Sequence, residues 1–163
     1  MAENLNYNPG TGNSACYTNQ TSYCSTYGRL YDWKTALTVC PSGWHLPSYD
    51  EWETLVNYAS IGNNNSCYVN CAGVKLRATN GWGYNVEGTN NYGFSALPGG
   101  KGESDGIEVG GFNSAELDGY WWSSSEYGIY NDAYYSLIAG SYTSASLSYG
   151  GKSNLYSVRC VKD

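Results

Sequence analysis

The stretch Cys40-Pro41-Ser42-Gly43-Trp44-His45-Leu46-Pro47-Ser48-Tyr49-Asp50-Glu51-Trp52-Glu53-Thr54-Leu55 carries the local signals from which a fold can be argued. Ser48 precedes an apolar-periodic run and Glu51 follows three residues later, the pattern of a capping box in which side chain and backbone satisfy each other's orphan groups. Trp52, Leu55, Val56 and Ala59 then share one helix face, at the i, i+3, i+4, i+7 spacing of a helix docked on a core. Upstream, Trp33, Ala36, Leu37 and Cys40 repeat the spacing behind Asp32 as N-cap. The reading is therefore of two helices, the first ending at Cys40, that meet at one tight Pro/Gly corner.

At 163 residues the chain suits a single domain over 1–163, provided that aromatic residues carry the packing. It has 18 Tyr and 6 Trp against 2 Phe and 1 Met. Tyr and Trp join a large apolar body to a polar tip, so they serve both a core and a surface that grips a ligand. Charged residues make up only 13% and the net charge is −6, which disfavours nucleic acid and acidic lipid as partners. Abundant Asn, Ser, Gly and Tyr make a neutral hydrogen-bonding surface of the kind found in adaptable paratopes. No apolar run approaches the roughly 20 residues that span a bilayer, so membrane insertion of this domain is not expected.

Outside the helical corner the chain reads as loops and short strands. Residues 3–7 alternate weakly as a strand, and a turn-rich loop runs on to Tyr27. Val74, Leu76 and Ala78 alternate, Thr79 to Asn91 is rich in Gly, Asn, Trp and Tyr, and Gly93 to Leu97 is a short strand ended by Pro98-Gly99-Gly100. Lys101 to Glu108 gathers acids among glycines without the spacing of an EF-hand, and is read as a solvated acidic loop. From Tyr120 onward, β-prone runs at Tyr120–Ser125, Ala133–Ile138, Ser144–Tyr149 and Leu155–Val161 alternate with short turns, which is an antiparallel meander. In the last run Tyr156, Val158 and Cys160 share a face. Two helices before such strands make an α+β fold.

Several blocks in this order resemble a known family. They are Ala2-Glu3-Asn4-Leu5-Asn6-Tyr7, Tyr27-Gly28-Arg29-Leu30-Tyr31, the Cys40 to Pro47 corner, Tyr92 to Gly100, Tyr120-Trp121-Trp122-Ser123-Ser124 and Ser157-Val158-Arg159-Cys160-Val161-Lys162. Together they resemble the Fibrobacter succinogenes major paralogous domain, within the C-type lectin-like and formylglycine-generating-enzyme superfamily. The resemblance implies a secreted bacterial protein with a C-type lectin-like fold, two helices packed on mostly antiparallel twisted strands with long loops. Met1 falls inside the family's opening strand motif, so an export signal or anchor is expected upstream of it.

Six cysteines read as a disulfide framework and an oxidising compartment. Zinc lacks its usual Cys-x-x-Cys spacing and has a single His to draw on. The place of Cys160 resembles that of the structural cysteine of lectin-like domains, and the expected pairs are Cys40 with Cys160, Cys16 with Cys24, and Cys67 with Cys71. Oxidases of the superfamily need a thiol pair bound to copper near the C-terminal part of the fold. Cys160 is the only cysteine there, so their active site does not carry over. Paired carboxylates for glycoside hydrolysis could be drawn from Glu103, Asp105, Glu116, Asp118, Glu126 and Asp132, but no motif fixes any two at the required separation. His45, in its tight corner, is assigned a buried or capping role. Neither catalysis nor a cofactor is expected. The calcium-dependent sugar motif of true C-type lectins is also missing.

The expectation is thus a secreted or cell-surface binding module that adheres to polysaccharide or a surface protein through loop aromatics. The alternative is a structural subunit of an extracellular fibre or assembly, using exposed aromatics for self-association. The candidate surface joins Trp82 and Tyr84 with Tyr127, Tyr130, Tyr142 and Tyr149. Trp121 and Trp122 are adjacent strand residues that face opposite ways, so at most one can belong to that surface.

Overall fold

The computed structural model describes residues 1–61, 71–83, 86, 88–103 and 111–163. The corner that opens the argument is built as its sequence dictates. Helix α3 (Tyr49–Ser60) is N-capped by Ser48, whose hydroxyl accepts from Glu51 N while the Glu51 carboxylate accepts from Ser48 N, completing the capping box. Its buried face is Trp52, Val56 and Ala59. Upstream, Asp32 caps a shorter helix than expected: α2 covers only Trp33–Ala36, with Thr35 N donating to Asp32 Oδ1 at 2.8 Å. The chain leaves the helix at Leu37 because Pro41 biases Cys40 toward an extended backbone and because Cys40 must reach Cys160.

Two further helices fall where the sequence reads as loop or strand. These are α1 (Thr21–Tyr27) and α4 (Ala72–Leu76). The first is polar apart from its cysteine and tyrosines, so it shows no aliphatic periodicity; Cys24 and Tyr27 are its buried residues. The second is one turn long and owes its place to contact: a Cβ on Gly73 would stand 2.4 Å from Ser144 O.

Among the described residues, eight strands form one sheet. At its centre is β6 (Asp118–Tyr127), which pairs antiparallel with β7 (Asp132–Ala139), itself paired antiparallel with β8 (Ala145–Gly151). This is the expected meander, with longer strands. On its other side β6 runs parallel to β9 (Tyr156–Ser157) and to β4 (Gly99–Gly102). Beyond β9 lie β2 (Leu30–Tyr31) and β1 (Ser14–Ala15), and beyond β4 lies β5 (Phe112–Ala115). A separate two-stranded pair joins β3 (Trp44–His45) to β10 (Val161–Lys162). The last expected strand is thus divided between two sheets. Tyr156, Val158 and Cys160 nonetheless share one core. The strand expected at 93–97 is reduced to a single bridge between Arg77 and Ala96, while the presumed Gly99-Gly100 turn opens β4. At Gly100 (φ +67) a Cβ would lie 2.6 Å from Ala115 N and Asn113 O, so only glycine lets β5 pair there.

Each face of the sheet carries its own core. Trp121 packs with Trp52, Val56, Leu76 and Ile138 on the α3 side, and Trp122 packs with Tyr31, Trp33, Tyr156 and Val158 on the other. Both indoles are fully buried, so neither reaches a surface. The register of β6 on β7 shifts between Trp122 and Glu126, and this irregularity frees main-chain groups that dock the helical corner. Trp52 Nε1 donates to Trp122 O (3.2 Å), Trp33 Nε1 to Ser123 O (2.8 Å) and Ser124 N to Pro47 O (2.8 Å). The disulfides Cys16–Cys24 and Cys40–Cys160 are both present. Cys71 is also disulfide-bonded, and its expected partner Cys67 lies outside the described residues.

Candidate functional site

Helix α3 is shorter than the strands it covers, and that mismatch makes the site. Alternation along the strands puts Ile138, Ser136 and Tyr134 of β7 on the α3 face, opposite Ala145, Leu147 and Tyr149 of β8. Ile138, Ala145 and Leu147 meet the helices and enter the core. Past the first turn of α3 no helix among the described residues covers the sheet, and the residues at that end are Tyr127, Tyr134 and Tyr149. Tyr127 and Tyr149 stack at 3.7 Å with planes 9° apart, Tyr134 meets Tyr127 edge-on at 5.2 Å, and Tyr49, the first residue of α3, packs on Tyr134 at 4.5 Å. Beside them the β6–β7 turn carries Ile129 (93% exposed) and Tyr130 (73%), and Tyr149 is half exposed.

The polar surroundings are neutral or acidic. Tyr49 Oη donates to Glu53 Oε1 at 3.3 Å and Asp132 lies across the ladder from Tyr127, while Glu126 and its partner Lys152 (3.2 Å) belong to the opposite face, where Lys152 lies over the Trp33 ring. The phenol of Tyr127 is held above its ordinary range, first by hydrogen bonding to Tyr149 and then by the nearby Tyr134 and Asp132. That of Tyr49 is raised by desolvation and by Glu53. The cluster therefore offers ring faces and neutral hydroxyls, a chemistry suited to stacking and hydrogen bonding.

Of the residues chosen from sequence, Tyr127, Tyr130 and Tyr149 come together here. Tyr142 does not. It is exposed in the β7–β8 turn, at the far end of an eight-residue strand, a span of roughly 25 Å at the usual rise of β-structure. Trp82 must be reassigned to the core: it is 7% exposed, donates from Nε1 to Ala96 O at 2.9 Å and lies under the Arg77 guanidinium. Its burial follows from Arg77, which reaches the carbonyls of Val86, Gly140 and Tyr142 and ties the Trp82 loop to the β7–β8 turn. Tyr84 lies outside the described residues. Tyr49 and Tyr134 were missed by sequence reasoning. Parity with Tyr149 could have found Tyr134, but only with the β7–β8 register in hand.

His45 is not buried. It bridges Glu51 Oε1 (2.8 Å) and Asp163 Oδ1 (2.7 Å) at the surface, bracing the capping box against the C-terminal segment. Among the acids, Glu103 is paired with Lys101 at 2.8 Å and Asp118 accepts from Tyr120 Oη; Asp105 and Glu108 lie outside the described residues. Among the described residues no group of three His, Cys, Asp or Glu is placed to hold a metal ion, and no helix is long and apolar enough to cross a membrane. An apolar groove of about 530 Å³ runs between α3 and the C-terminal segment, lined by Trp52, Leu55, Tyr58, Phe94 and Val161. Arg159 at its base is fully engaged with Asn4 Oδ1 and the carbonyls of Phe94 and Ser95.

No curated protein and no solved structure matches this chain. Residues 1–162 do match a known family over nearly their whole length. On that match the chain belongs to the Fibrobacter succinogenes major domain family.

Proposed function

We propose that this chain is a non-catalytic extracellular binding module of C-type lectin-like fold that holds a neutral polysaccharide against the tyrosine cluster at the open end of β6, β7 and β8. The observation that carries the reading is the group formed by exposed Tyr130 and Tyr149 with half-buried Tyr127 stacked on Tyr149, where the sheet outruns α3. Ring faces stack on the apolar faces of sugars, and phenolic hydroxyls exchange hydrogen bonds with their hydroxyls. The acids around the cluster and the net charge of −6 argue against a polyanionic ligand. The disulfides fit an oxidising, extracellular setting. No residue in the cluster is asked to act as nucleophile or base.

The test is affinity electrophoresis and a glycan array on the purified chain. Binding to at least one neutral polysaccharide is expected. Tyr149→Ala and Tyr130→Ala should each weaken it by about tenfold, the loss expected of one good contact. Tyr142→Ala, at the other end of the hairpin, should bind as wild type. Unchanged binding by both cluster variants, or no neutral glycan bound at all, would sink the reading.

A further inference from the structure

The hairpin from Ala133 to Gly151 contains neither a charged residue nor a proline, and among the described residues its second strand, β8, is a terminal strand of the sheet. The other terminal strands, β1 and β5, have two and four residues, while β8 has seven. Long edges are normally blunted by lysine, proline or a bulge because their unpaired amides invite another chain. Here the β7–β8 register runs without a shift from Asp132↔Gly151 to Ile138↔Ala145.

The phase of the ladder is fixed at its end, where Lys152 N donates to Asn131 O at 2.9 Å. Residues of β8 at even positions therefore bond to β7, and those at odd positions turn their N–H and C=O outward. The neighbouring outward groups agree: Thr143 O accepts from Val74 N, and Gly151 O from Asn154 N. Between these ends, Leu147 and Tyr149 direct two donors and two acceptors away from the sheet. Among the described residues, nothing outside β7 hydrogen-bonds to the main chain of Ser146 through Gly150.

We propose that a second copy of this chain covers that edge, β8 pairing antiparallel with β8 of the partner about a two-fold axis at Ser148. In that register Leu147 of each copy exchanges both main-chain bonds with Tyr149 of the other, so four hydrogen bonds use all the outward groups of these two residues. The Leu147 and Tyr149 side chains meet as an aliphatic–aromatic cross-strand pair, and Ser148 faces Ser148 as a close, non-bonded pair. None of the facing residues is charged, so two copies approach here without like-charge contact although each carries −6. The contact is narrow, which makes the dimer weak and dependent on concentration. It brings both tyrosine clusters to one face of a continuous sheet, where a long ligand could engage the two at once. The pairing itself requires no ligand.

Sedimentation velocity in the absence of saccharide tests it, over a rising concentration series of the whole chain. Wild type should shift from monomer toward dimer. Ser148→Lys places two ammonium groups face to face and Ser148→Glu two carboxylates, so each variant alone should remain monomeric at concentrations where wild type dimerises. An equimolar mixture of the two should recover the dimer, because Lys then faces Glu; recovery also shows that both variants are folded. Wild type that stays monomeric throughout, variants that self-associate like wild type, or a mixture that fails to recover would each overturn the proposal. Glycan binding by a strictly monomeric wild type would reject the dimer and leave the polysaccharide reading standing.

Discussion

Side chains that a sequence reader would place at the surface hold this molecule together. Lys75, Arg77 and Arg159 are all at least 96% buried, and each donates to main-chain carbonyls. Lys75 Nζ donates to Ala59 O and Ile61 O at 2.9 Å, capping the C-terminal end of α3, which has no basic residue of its own there. Burial lowers the pKa of Arg159 to about 9, and the ring of Phe94 lies 4.2 Å from its guanidinium. His45 is the side chain whose charge responds to ordinary pH. Hydrogen bonds to Asp163 and then Glu51 raise it above its usual 6.5, while bonds from Ser48 N foremost lower Glu51 below 4.5. The His45 contribution is complete below 6.5 and is lost as pH climbs through the raised folded value; that of Glu51 is complete above 4.5 and is lost as pH falls through the lowered one. Thermal melts of wild type and His45→Gln across pH should therefore differ most between 4.5 and 6.5 and converge under alkaline conditions. A gap that ignores pH would mean that the bridge is not ionic.

At the scale of elements, α3 is the piece whose sequence and structure agree most closely, because its signals are local. Ser48 and Glu51 are three residues apart and each satisfies the other's backbone. Ser48→Ala should cost about 1 kcal/mol, read as a lower midpoint in urea unfolding with an unchanged slope; a cost within about 0.3 kcal/mol would show that Pro47 and the hydrogen bond from Tyr49 N to Ser125 Oγ (3.0 Å) fix the helix start without the cap. The elements that escaped the sequence are those made by contact. Helix α4 and strand β4 are short, rich in glycine and small residues, and weak by propensity. They exist because Gly73 lets Ser144 approach and Gly100 lets β5 pair. The expected length of α2 was wrong for a related reason: Leu37 keeps the helical spacing in sequence, yet it is 42% exposed and lies beyond the helix.

At the scale of the whole molecule, one sheet separates two cores, and the chain ends must be held to it. The Cys40–Cys160 disulfide does this across a sequence separation of 120, against 8 for Cys16–Cys24. The chain-entropy account gives about 4.7 kcal/mol for a loop of about 100 residues and under about 3 for a short one. Cys40→Ser/Cys160→Ser should therefore lose roughly 2–5 kcal/mol in denaturant unfolding, and Cys16→Ser/Cys24→Ser distinctly less. Equal losses would show that native-state strain or residual structure outweighs loop length.

What the sequence determined by itself was whatever depends on neighbours in the chain or on a pattern that the family shares. The capped corner, the β6–β7–β8 meander, the opposed faces of Trp121 and Trp122 and the Cys40–Cys160 tie all belong there. Tyr127, Tyr130 and Tyr149 were legible as a group because one three-stranded meander carries them. Only the tertiary structure decided that Tyr49 and Tyr134 join them, that Tyr142 stands apart and that Trp82 is buried. The physical reason is that exposure at this end depends on where α3 stops relative to the strands beneath it, and convergence depends on the β7–β8 register and on the reach of Arg77. Those are distances between elements far apart in sequence, and no local pattern of residues encodes them.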